Sequence, residues 1–251
     1  MDILEPRLLL TCIVAKHGST LTVKTGLDEY VAIVENLDSG IDVECYQFGD
    51  DATPVLATSF TGVSVLNVVG NPLPNDIYVE LNGDKSYIAN INTLGGDDIV
   101  EVVLNEVTAK NTLHINTSTG NDYVSVRAAW LVDAALNVTI NTGSGDDVAA
   151  IDCPYGDITP AAKLSLSLSL GSGNDDASIF LWPTTHFNQK PLIRVSGGSG
   201  QDALSVDNDL WWVSRNTLST VESPFAVIPC DDENPLYPCD GVLDGYFVRL
   251  K

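Results

Sequence analysis

The sequence predicts an all-β fold: a right-handed parallel β-helix of about six to eight coils of 22–28 residues, closed by a C-terminal cap. The first ground is a repeated turn. Ile140-Asn141-Thr142-Gly143-Ser144-Gly145-Asp146-Asp147 has counterparts at Ile91–Asp98, Ile115–Asp122, Leu168–Asp175 and Val195–Asp202, and in all five an aspartate follows the leading aliphatic by seven residues. The second ground lies just beyond each aspartate. Small or aliphatic residues fall two and four positions on, as in Val100/Val102 and Ala177/Ile179, which is the period of a strand with one buried face. The third is spacing: the aspartates lie 24, 25, 28 and 27 residues apart, one turn per coil. Composition agrees, with 44% hydrophobic residues, a single Met and no sustained i, i+3, i+4, i+7 apolar pattern.

Taken in order, residues 1–20 form an N-terminal segment. Its apolar run Leu8–Ala15 has the length of a signal-peptide core, but Asp2, Glu5 and Pro6 stand where such a signal carries basic residues. The other reading is a strand that caps or pairs with the first coil. Residues 21–206 are the solenoid, degenerate over 21–82 and regular over 83–206. Leu21–Val31 has a strand–turn–strand shape, Gly49-Asp50-Asp51 offers a second turn, and Val69 to Asp76 keeps the seven-residue gap with prolines in place of glycines. In the regular part the length variation falls in the connections Asn105–Asn111, Ala128–Ala135, Pro154–Ala162 and Pro183–Pro191. Ser165–Leu170 alternates Ser and Leu as a half-buried strand does. Residues 207–251 leave the pattern. Trp211-Trp212, the loop between Cys230 and Cys239, and the apolar run Gly245–Leu250 suit a cap over the last open strand edge.

Charge narrows the partners. With 34 acidic against 12 basic side chains, the net charge is −22, which argues against nucleic acid and anionic membrane surfaces. No apolar run reaches transmembrane length, so membrane insertion is not expected. Among five cysteines, Cys230 and Cys239 are the expected disulfide, Cys12 and Cys45 pair or stay free, and Cys153 continues the inward parity of Ala149 and Ile151. A disulfide in an acidic all-β repeat protein points to an oxidising, exported setting.

Leu4-Glu5-Pro6-Arg7-Leu8-Leu9-Leu10 resembles the L-E-P-R-x-L-L segment near the start of large exported bacterial surface proteins, whose bodies are built from Gly-Asp-rich β-solenoid repeats. The resemblance implies an extracellular, cell-surface location and this architecture, and no particular activity. The turn is also similar to the G-G-x-G-x-D-x-U-x element of calcium-binding β-rolls. Gly145, Asp147 and Ala149 take its last Gly, Asp and U positions, as do Gly96, Asp98 and Val100. Two departures stand out: one turn per coil rather than two in about 18 residues, and Thr142 or Leu170 in the first-glycine position.

Stacking of the coils is expected to place Asp98, Asp122, Asp147, Asp175 and Asp202 along one edge about 4.8 Å apart, flanked by Asp97, Asp146 and Asp176. Like charges that close repel by roughly 1 kcal/mol in water and more at a protein surface. Calcium, which prefers hard oxygen ligands, would offset this with all eight aspartates as candidate ligands. Alternatively, each aspartate accepts the N–H groups of its own turn and needs no metal. The expected role is a non-enzymatic structural protein of the bacterial cell surface or extracellular matrix, calcium-stabilised and associating end to end into fibres. The competing class is a carbohydrate-active β-helix (a polysaccharide lyase, a hydrolase or a sugar-binding module) acting on a cell-surface polysaccharide. Arg127 and Arg194 would serve it, while Phe180 and Trp182 either pack under the Pro183–Pro191 loop or form a sugar-stacking ledge. Five copies of one acidic pair argue for scaffold over a single active site, and His17, His114 and His186 are scattered along the chain.

Overall fold

The computed structural model describes residues 12–27, 29–38, 40–47, 53–153, 159, 161–181, 191–207, 226–228 and 246–249. Among these there is no helix. The strands are β1 (Ile13–His17), β2 (Thr20–Lys24), β3 (Glu29–Glu35), β4 (Ile41–Gln47), β5 (Leu56–Phe60), β6 (Val65–Val69) and β7 (Asp76–Leu81). They continue with β8 (Ile88–Asn92), β9 (Ile99–Leu104), β10 (Asn111–Asn116), β11 (Tyr123–Ala128), β12 (Ala135–Ser144) and β13 (Val148–Asp152). The last are β14 (Lys163–Ser172), β15 (Asp176–Phe180), β16 (Leu192–Ser196), β17 (Ala203–Asp207), β18 (Ala226–Ile228) and β19 (Tyr246–Arg249).

From β5 to β17 successive strands alternate between two sheets. The first runs β1-β2-β6-β8-β10-β12-β14-β16 and the second β18-β19-β17-β15-β13-β11-β9-β7-β3-β4-β5. From β2 to β16 and from β3 to β17 the pairs between rungs are parallel, so the chain winds as a β-solenoid. The repeat seen in the sequence is the register seen in the fold. Ile91, Ile115, Ile140, Leu168 and Val195 lie over one another in the first sheet. Val100, Val124, Ala149, Ala177 and Leu204 do so in the second. Both rows are buried in one core, each large aliphatic contributing about 1.5–3 kcal/mol relative to exposure. Cys153 lies in that core as an unpaired thiol.

The N-terminal third departs from the expected coils. After β3 the chain folds back through β4 and β5 as an antiparallel meander. Asn36 sets the first reversal: its Oδ1 accepts the N–H groups of Asp38 (3.1 Å) and Gly40 (2.9 Å). A link of that length closes a hairpin, whereas a parallel neighbour needs a crossover of a dozen or more residues. In the first sheet β1 pairs antiparallel with β2. A disulfide between Cys12 and Cys45, 33 residues apart, ties the two antiparallel additions together. At this end of the stack the outermost strands are therefore antiparallel additions, β1 in the first sheet and β5 in the second. At the other end β19 pairs antiparallel with β17, and β18 with β19. The Gly49-Asp50-Asp51 turn, the Leu4–Leu10 segment, Trp182, Trp211, Trp212, Cys230 and Cys239 lie outside the described residues.

Candidate functional site

The repeated turns join the end of each first-sheet strand to the start of the next second-sheet strand, and they stack. Stacking demands glycine at Gly145: its φ is +135°, and a Cβ there would overlap the Gly120 carbonyl oxygen of the rung beneath. Gly173 stands in the same relation to Gly145. With nothing between successive backbones, the side chains of the two residues after the glycine form two rows.

The inner row is Asp98, Asp122, Asp147, Asp175 and Asp202, each no more than 2% exposed. The Asp98 N–H donates to Asp122 Oδ1 at 2.9 Å, that of Asp122 to Asp147 at 2.9 Å, that of Asp147 to Asp175 at 2.9 Å and that of Asp175 to Asp202 at 3.2 Å. Each carboxylate thus serves the N–H of the preceding rung. Neither an exposed edge nor capture of the turn's own N–H groups describes this arrangement. Asn75 opens the row. Its N–H and Nδ2 both donate to Asp98 Oδ1 at 2.8 Å. Its Nδ2 also reaches the carbonyls of Asn71 (2.9 Å) and Leu73 (2.7 Å), and its Oδ1 accepts from Thr25 Oγ1 at 2.8 Å. The expected row member, Asp76, instead begins β7 opposite Ile99. Val68, not Val69, lies over Ile91, so the seven-residue gap runs from Val68 to Asn75.

The outer row is Asp97, Asn121, Asp146, Asn174 and Gln201, all exposed. Here donation runs the other way. The N–H groups of Asn121 and Asp146 donate at 2.8 Å to Asp97 Oδ1 and Asn121 Oδ1. Those of Asn174 and Gln201 donate to Asp146 Oδ1 at 2.7 Å and Asn174 Oδ1 at 3.1 Å. An amide separates Asp97 from Asp146, so no two carboxylates are neighbours in this row. Asp176, expected on the same edge, is not in it: it opens β15 on the outward face, in register with Val148 and Ala203. The amide members were missed in the sequence, although their signal was present, since each immediately precedes an inner-row aspartate.

Burial also changes the acidity of inner-row carboxyls. Burial pushes the Asp122 carboxyl up to about 6; the Thr117 hydroxyl and the Asp98 N–H oppose this, and the charges of Asp98 and Asp147 add to it. Burial likewise takes Asp175 up to about 6 against the Asp147 N–H, with Asp147, Asp202 and Asp146 contributing. Asp98 and Asp147 are raised for the same leading reason. The threonines beneath the row behave differently by rung. Thr93 Oγ1 donates to Asp98 Oδ2. Thr117 and Thr142 stand beside Asp122 and Asp147 but donate to the main-chain oxygens of Thr142 (3.1 Å) and Leu170 (2.8 Å). The Oδ2 atoms of Asp122, Asp147 and Asp175 are therefore buried without a partner.

This arrangement holds main-chain N–H groups between rungs, and burial shifts its carboxyls toward the protonated form. An acid sealed to 2% exposure makes no contact with a substrate, so the row has no access for glycosidase chemistry. Among the described residues no group of three His, Cys, Asp or Glu side chains gathers as a metal site requires. Arg127 lies on the outward face of the second sheet and Arg194 on that of the first, so the fold does not bring them together. Phe180 is exposed on the second sheet. No family model, curated protein or solved structure matches the chain.

Proposed function

We propose that this chain is a non-catalytic structural β-solenoid of an exported bacterial surface or matrix protein. One observation carries the reading: the five repeated acids, the most conspicuous chemistry in the sequence, are spent on main-chain N–H groups between rungs. They bind the stack, and nothing remains exposed in the inner row for a substrate. The Cys12–Cys45 disulfide supports an oxidising compartment, and the Leu4–Leu10 resemblance supports the cell surface. Protons rather than calcium relieve the inner row in this reading. Calcium takes six to eight oxygens, whereas each inner Oδ1 is already an acceptor and the orphaned Oδ2 atoms belong to separate rungs.

The test is incubation with a panel of neutral and uronic-acid polysaccharides, with analysis of the products. No shortened chains are expected. Release of oligosaccharides that disappears in Arg127→Ala or Arg194→Ala would replace the structural reading with the carbohydrate-active one.

A further inference from the structure

The two outward faces of the solenoid are chemically unlike. The chain has 34 acidic side chains, yet none of the eight strands of the first sheet contains an Asp or Glu. Its outward positions over β8 to β14 are dominated by Asn, Thr and Ser, and Lys24, Lys163 and Arg194 are exposed on the same side. The amides are satisfied along the stack: Asn90 Nδ2 donates to Asn67 at 2.8 Å, Asn116 to Asn92 at 3.1 Å and Asn141 to Asn116 at 2.7 Å. Such a face is flat, and few of its polar groups lose a partner when it is covered.

The second sheet presents the opposite chemistry. Glu44, Glu101 and Asp176 alternate with buried residues and so point outward. Beside them Ile99, Tyr123 and Val148 form one row across neighbouring strands, exposed by 43%, 38% and 38%. The first sheet has its own exposed aliphatics, Ile88 at 46% and Leu192 at 40%.

We propose that copies of this chain associate side by side, the carboxylate-free face of one against the tyrosine-and-carboxylate face of the next. The proposal rests on the structural reading above and names its partner as a second copy. Charge is complementary across the contact. Both faces repeat at the strand spacing of about 4.8 Å, so rows that match at one rung match along the stack. Eight strands about five residues deep give roughly 500 Å² per face, or about 1,000 Å² in all, which is the size of a weak, concentration-dependent contact. Each copy uses two different faces, so the contact does not close on itself and builds open rows.

Sedimentation velocity over a concentration series tests it, in salt at about 0.15 M, where charges in contact still attract while the overall −22 is screened beyond about 8 Å. The wild-type sedimentation coefficient is expected to rise with concentration. Lys24→Glu with Arg194→Glu, and separately Glu101→Lys with Asp176→Lys, abolish the rise while melting within a few degrees of wild type. An equimolar mixture of the two variants recovers association, because each supplies the face the other lacks. If the first variant does not fold, Lys163→Glu takes its place. A wild type that stays monomeric up to millimolar concentration overturns the proposal, as do variants that associate unchanged or a mixture that does not recover. A monomer that makes no sugar products sinks only this contact, whereas product release sinks the structural reading itself. If the monomer is instead retained on an insoluble acidic polysaccharide through Lys24 and Arg194, the first-sheet face has a glycan occupant and the self-association is wrong.

Discussion

The inner and outer rows of the turn are adjacent residues of one motif, yet they solve opposite problems. In the inner row every regular rung keeps aspartate; in the outer row three of the five positions are amides. Both rows accept main-chain N–H groups, from the preceding rung inside and from the following rung outside. The difference is solvent. Outside, an Asn amide group finds water, so an amide oxygen serves as well as a carboxylate. Inside, an amide brings N–H groups that must be paired. Asn75 can sit there because the proline turn beneath it offers the carbonyls of Asn71 and Leu73. Higher rungs lack that turn, and aspartate brings no obligatory donor. Burial therefore selects a carboxyl that can take up a proton over an amide that cannot lose one.

Breaking the turn breaks both rows at once, and the largest effect is expected there. Gly145→Ala forces a Cβ onto the Gly120 carbonyl at φ +135° and should cost about 3 kcal/mol or more, measured by chemical denaturation. Next come the rows separately. Asp147→Ala leaves the buried Asp122 N–H without an acceptor and should cost about 2 kcal/mol. Asp146→Ala, whose row is exposed, should cost well under half of that. Equal losses from the two would mean that burial does not distinguish the rows.

Titration sharpens the contrast. The carboxyls of Asp98, Asp122, Asp147 and Asp175 are raised in the folded chain above their ordinary 3.8, with Asp122 and Asp175 reaching about 6. The folded state then holds protons that the unfolded chain has released. Its advantage is complete below about 4 and is lost as pH rises through about 6. The melting temperature should therefore fall between about pH 4 and 7. Discharging the −22 surface pushes in the same direction, so the informative experiment is paired. Asp122→Asn should flatten the fall, and the same one-charge change at Asp97 should leave it. A fall equally flattened by both variants would assign the pH response to net charge alone.

How far the sequence foretells this molecule depends on the element. The stacking of Ile91, Ile115, Ile140, Leu168 and Val195 was readable because a seven-residue gap kept through five coils has one geometric meaning. Which of two consecutive acids turns inward was not, since alternation is interrupted by residues at positive φ such as Gly143 and Gly145. The Val68-Val69 pair hid the Asn75 register for a related reason: either valine can lead the turn. The β3-β4-β5 meander was invisible because a parallel and an antiparallel strand show the same period of two. That in turn left the Cys12–Cys45 pairing as one of two readings, because the disulfide exists only once β4 has folded back. The outer-face segregation needs the sheet assignment before it can be seen.

The smallest expected effect concerns calcium, and it decides which row a cation meets. Asp146→Asn retains an oxygen for the Asn174 N–H, as Asn121 and Asn174 do in their own rungs, so stability should change by less than about 0.5 kcal/mol. In the wild type, millimolar calcium should raise the melting temperature only slightly, by screening exposed carboxylates such as Asp97 and Asp146. Magnesium should do the same, and the Asp97→Asn, Asp146→Asn double variant should lose only a small part of the response, because most of the −22 remains. Calorimetry would then show no saturable heat. A large, saturable, calcium-selective stabilisation that survives the double variant would place the ion in the inner row. The orphaned Oδ2 atoms of Asp122, Asp147 and Asp175 would then be its ligands, and the assignment of protons to that row would fall.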